Sequence, residues 1–168
     1  MRLLAQALAT AAKRRIVFLQ PPQQPQALAL AGMGIQPESA LWLRADRTAD
    51  VLWAAEQVLR SRSCSALLFW QNQIQPESQR RLTLAAQEGE TLFFMLRPLA
   101  DAQDPSPAPL RLAPRPRAGG LEVDFVKRRG SLRDDPLFLP MHVATFQRLQ
   151  PAFRSGATPS KARRLSRP

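Results

Sequence analysis

The sequence predicts an α/β domain, with a mostly parallel sheet between flanking helices, followed by an antiparallel hairpin and a basic tail without structure of its own. Three observations predict it. Strand-like and helix-like segments alternate from the start of the chain to Pro98. The strand-like segments are apolar throughout, as strands covered on both faces are, and do not alternate with polar residues. After Pro98 the texture changes to the proline-rich "PLADAQDPSPAP", then to two extended pieces around Gly119-Gly120.

The elements follow in order. "MRLLAQALATAAKRR" places Leu4, Leu8 and Ala11 at helical spacing, and its charges follow the apolar part, so an amphipathic helix is expected there and not a secretory leader. "RIVFLQPP" (15–22) is a buried strand stopped by prolines. "QALALAGMG" (26–34) is a short helix ended by Gly32, and "ALWLRA" (40–45) a second strand. "TADVLWAAEQVLRSR" (48–62) is the strongest helix. Thr48 is its expected cap, and Val51, Leu52, Ala55, Val58 and Leu59 make one apolar face. "ALLFW" (66–70) is a third strand. "PESQRRLTLAAQEG" (76–89) is a helix with Pro76 in its first turn and Gly89 past its end, and "TLFFMLR" (91–97) is a fourth strand. The hairpin (110–129) is expected to add to the sheet edge, with Leu121, Val123 and Phe125 on its buried face. "PLFLPMHV" follows as a last extended piece. The pentapeptide IQPES occurs at Ile35–Ser39 and at Ile74–Ser78. Its proline is placed to open a helical turn both times, but two copies do not make a repeat architecture. The core therefore runs over 1–145 and the basic tail over 146–168.

The 168 residues carry a net charge of +11, unevenly spread. Residues 1–110 hold 11 basic and 9 acidic side chains, a net of +2, whereas 111–168 hold 13 and 4, a net of +9. Such asymmetry points to an acidic partner for the C-terminal third. Cys64 is the single cysteine, so no disulfide framework can form, and a reducing cytoplasm fits. No apolar run reaches the length of about 18 residues that a membrane span needs.

Catalytic motifs are missing. No G-x-x-x-x-G-K-[ST] loop occurs, and the strand at 66–70 is followed by Gln71, Asn72 and Gln73 where a P-loop ATPase would place a magnesium-binding acid. His142 is the lone histidine, no G-x-S-x-G elbow accompanies it, and a structural or surface role is expected. Cys64 has only Arg62 nearby in sequence to activate it. The expectation is a protein that is not an enzyme and needs no cofactor or metal.

Four segments, "RTADVLWAAEQVLRS", "RRLTLAAQEGETLFFMLRP", "PSPAPLRLAPRP" and "GGLEVDFVKRRG", together resemble ImuA, a RecA-related accessory family of SOS-induced translesion DNA synthesis. The related SulA division inhibitors share the same reduced RecA-like core. The resemblance covers about Met1 to Leu139 and is most specific over 92–98 and 121–130. It implies a reduced RecA-like fold and a non-catalytic adaptor that binds ImuB, an inactive Y-family polymerase relative, together with an error-prone polymerase. SulA-like proteins instead bind FtsZ, which is the alternative. Longer ImuA-like chains carry an upstream region with the nucleotide-binding strand and loop. Met1 falls after it, so a shortened member or a late start is expected.

Two sets of residues are the expected contacts. Lys127, Arg128 and Arg129 either meet DNA phosphates, along with Arg133 and the tail residues Lys161, Arg163, Arg164 and Arg167, or form the solvated end of an edge strand. Trp42 and Trp70 belong to strands and are expected in the core. Trp53 lies off the apolar face of its helix, as an interaction hot spot would.

Overall fold

The computed structural model describes residues 2–11, 13–99, 104–131 and 135–140. The tail at 146–168, with Lys161, Arg163, Arg164 and Arg167, lies outside the described residues, as do Arg133 and His142. The elements are α1 (Ala5–Ala11), β1 (Arg15–Leu19), α2 (Ala27–Ala31), β2 (Ala40–Leu43), α3 (Thr48–Arg60), β3 (Cys64–Trp70), α4 (Pro76–Glu88), β4 (Leu92–Leu96), β5 (Arg111–Arg117), β6 (Gly120–Lys127) and β7 (Leu137–Pro140).

The first four strands form one parallel sheet in the order β2-β1-β3-β4, with Val17 of β1 in register with Leu41 on one side and Leu67 on the other. From β1 the chain steps outward to β2 through α2, then returns across β1 to β3 through α3. Right-handed crossovers in opposite directions place their helices on opposite faces of the sheet. Val17, Leu19, Leu67 and Phe69 pack with Val51, Ala55 and Leu59 of α3 and with Leu82 and Ala85 of α4. On the other face Ile16, Phe18, Ala66 and Leu68 pack with Leu8 of α1, Leu30 of α2 and Ile35. The period-two pleat thus deals the apolar residues of β1 and β3 alternately to two cores, which is why both strands read as unbroken apolar runs.

The helix ends follow local chemistry, with one correction. Gln36 and Gln75 of the two IQPES copies both take extended N-cap conformations, and Pro37 and Pro76 open the turns that follow. Thr48 does not cap α3. It is the first helical residue, and Arg47 stands in the cap position without a side-chain hydrogen bond. Gly89 ends α4 in a right-handed conformation, so backbone freedom is not its reason. A Cβ there would sit 1.8 Å from the Leu59 carbonyl oxygen, so the C-terminus of α4 can press against that of α3 only without a side chain.

The hairpin does not extend the parallel sheet. β5, β6 and β7 make a separate antiparallel sheet in that order. Pro114 and Pro116 lack N–H groups, so β5 is suited to an edge and not to bridging two ladders. The turn residues are Ala118 and Gly119, with Gly119 at φ +78°, and Gly120 already belongs to β6. Arg115 pairs with Asp124 across the hairpin, and Arg117 donates to Glu122 at 2.9 Å, which holds that carboxyl below the usual carboxylate range.

Replacing Gly89 by alanine is expected to lower stability by about 2 kcal/mol or more. The check is a urea transition whose midpoint falls with its slope unchanged.

Candidate partner-binding and basic surfaces

Helix α3 sets the first surface. Its buried stripe is Val51, Ala55 and Leu59. Trp53 lies two residues from both Val51 and Ala55, half a turn round the helix at about 100° per residue, so it points directly away from the core. It is 64% exposed. One turn on, Glu56 accepts ion pairs from Arg60 at 3.1 Å and from Arg81 of α4 at 2.9 Å, which ties the two helices together beside the indole. The expected hot-spot position is therefore an outward indole on a braced helix.

The other two indoles depart from expectation to different degrees. Trp42 is 40% exposed, on the edge strand β2, and the Arg44 guanidinium lies 5.8 Å over its ring. Trp70 is half-buried and stacks near Phe18, with ring centroids 6.4 Å apart. Phe18 and Trp70 form the floor of a groove of about 460 Å³ walled by Pro21, Pro22, Leu30 and Met33. It opens at the carboxyl ends of β1 and β3, between which the strand order reverses, the usual ligand crevice of such sheets. Its lining is apolar apart from glutamines, and the loop after β3 offers Gln71, Asn72 and Gln73 and no carboxylate. Among the described residues no three His, Cys, Asp or Glu side chains gather where they could hold a metal ion. Nor is any helix there long and apolar enough to cross a membrane.

The basic surface lies where β4 and the antiparallel sheet meet the loop at 104–106. Lys127 ends β6, and its Nζ donates to the Ser106 carbonyl at 2.8 Å. The Arg128 guanidinium lies 5.8 Å over the Phe125 ring, and Arg129 is exposed. Two further cations, absent from the expected set, join them. Arg97, just past β4, pairs with Asp104 at 2.8 Å and donates to the Asn72 carbonyl, and Arg111 donates to the Asp104 carbonyl. Arg111 faces Lys127 because of a register shift next to Leu112; an unbroken hairpin would oppose it to Val126. The buried Gln79 of α4 fixes the same loop through the Ser106 hydroxyl at 2.9 Å. Counting outward from the Gly turn would have brought Arg111 near the triplet, but nothing in the sequence announces Arg97.

Cys64 is buried, with its thiol directed to the Val58 carbonyl, and burial pushes its pKa up, against weaker opposing effects from Thr91 and Arg14.

No family model matches the chain, and no curated protein matches it. Among solved structures it is similar to SulA from Pseudomonas aeruginosa, at 24% identity and a TM-score of 0.48, over 56% of this chain and 83% of that one.

Trp53→Ala is expected to change stability by less than about 0.5 kcal/mol, read as an unshifted thermal transition, since the indole packs on solvent. Cys64 should resist a disulfide-exchange reagent at mildly alkaline pH and react at once when urea unfolds the chain. Rapid labelling of the native protein would contradict the buried, raised-pKa thiol.

Proposed function

We propose that this chain is a non-catalytic accessory protein of SOS-linked translesion DNA synthesis. On this reading it docks an ImuB-like polymerase relative, and through it an error-prone polymerase, on the outward face of α3. The observation that carries the reading is Trp53, a large indole set opposite the core on a helix braced by Glu56 and Arg81. Tryptophan, with tyrosine and arginine, is enriched among binding hot spots. The segments that resemble ImuA fall on α3, on α4 with β4, and on β5 and β6, all of them ordered elements. The apolar groove at the strand ends supplies neither a phosphate cradle nor a carboxylate, which supports a binding role over nucleotide hydrolysis.

The test is co-purification with the ImuB-like protein of the same cell. Full-length chain and a version ending at Gln150 should both be retained, and Trp53→Ala should weaken binding about thirtyfold, the effect of losing a hot spot worth about 2 kcal/mol. Retention of Trp53→Ala at full affinity would remove α3 from the interface. In parallel, FtsZ polymers should sediment unchanged in the presence of the protein. Their loss from the pellet would replace the adaptor reading with that of a SulA-like inhibitor of division.

A further inference from the structure

We infer that the junction of the two sheets is a binding surface for the sugar–phosphate backbone of a nucleic acid, held without base readout, at Arg97, Arg111, Lys127, Arg128 and Arg129. Three of these cations converge on one short loop. Arg97 reaches the Asp104 carboxylate, Arg111 the Asp104 carbonyl, and Lys127 the Ser106 carbonyl. They come from three different elements, the end of β4, the start of β5 and the end of β6, so folding, and not sequence proximity, assembles them.

The way they are held matters. A main-chain carbonyl under Lys127 orients its ammonium without cancelling the charge, and the Phe125 ring does the same for the Arg128 guanidinium. Gln79, buried in α4, anchors the loop beneath, so the cations rest on a support tied to the core. Cations fixed in this manner lose less side-chain entropy on binding than free surface ones.

The edge-strand explanation accounts for a charged end to β6. It does not account for Arg111 being moved opposite Lys127 by a register shift, nor for Arg97 arriving from the other sheet. The occupant follows from charge. The Asp104 carboxylate offsets the Arg97 charge, so the positive field at the junction comes chiefly from Lys127, Arg128 and Arg129, which suits a polyanion, and arginine forks match phosphate oxygens. Phe125, the aromatic side chain beside these cations among the described residues, already carries the Arg128 guanidinium on its ring and is not offered to a base.

The experiment measures binding of full-length protein to a fluorescein-labelled, mixed-sequence single-stranded oligonucleotide by anisotropy across a salt series. Replacing Lys127, Arg128 and Arg129 together with alanine should lower the slope of log affinity against log salt by about 2, since each lost phosphate contact removes roughly 0.7. Arg128→Lys with Arg129→Lys keeps the charges and should keep the slope, and circular dichroism confirms that both variants fold. Three results would overturn the inference: no binding by the wild-type protein at low salt; an unchanged slope in the triple variant, with binding lost instead when residues 141–168 are removed; or competition by polyglutamate as strong as by unlabelled oligonucleotide, which would assign these cations to an acidic protein. None of these depends on Trp53 or on the polymerase relative, so this inference and the adaptor reading can fail separately.

Discussion

Everything in this fold depends on β3 being covered on both faces. Six of its seven residues are buried, with Leu67 and Phe69 against α3 and α4 and Ala66 and Leu68 against the α1–α2 side. A fully buried Leu or Phe side chain contributes about 1.5–3 kcal/mol, so this strand and β1 beside it supply most of the drive that holds two layers of helices to one sheet. Such burial leaves no room for a polar group without a partner, which is why the chemistry of the chain is confined to strand ends, helix backs and the loop at 104–106. Both proposed surfaces lie there. One is the solvent side of α3, and the other the end of β4 where it meets the antiparallel sheet.

Most of the parallel layer was legible in the sequence because each strand is a short apolar run stopped by Pro, a charge or, after β3, a run of amide side chains, and each helix carries its own apolar stripe. Trp53 was legible for the same reason, since helical periodicity alone sets it opposite Val51 and Ala55. What the sequence concealed depends on pairing between distant segments. The separation of the hairpin from the parallel sheet is one such feature, although Pro114 and Pro116 hint at it. Trp42 is another, since a tryptophan in an apolar strand reads as core until the strand proves to lie at an edge of the sheet. The cluster around Asp104 and Ser106 is the clearest case, because Arg97 and Lys127 are brought together only by two turns of topology. The cap assigned to Thr48 failed for a smaller reason, a helix start displaced by one residue.

Gly89 and Glu56 do related work at opposite levels of the structure. The missing Cβ at Gly89 lets the ends of α3 and α4 touch, and Glu56 of α3, held within its own helix by Arg60, joins α4 through Arg81. The two helices thereby form one unit, and the indole they carry has no hinge of its own.

The two sheets differ sharply in how much they bury. Among the described residues the antiparallel sheet has only Ala113 and Val123 as buried apolar side chains, while the parallel sheet has two continuous cores. Local opening free energy follows buried apolar contact, so the amide protons of β5, β6 and β7 are expected to exchange with solvent through small excursions that leave β1 and β3 closed. Burial thus divides the described chain into a layer expected to open rarely and one expected to open easily, and the cations of the basic surface are shared between them.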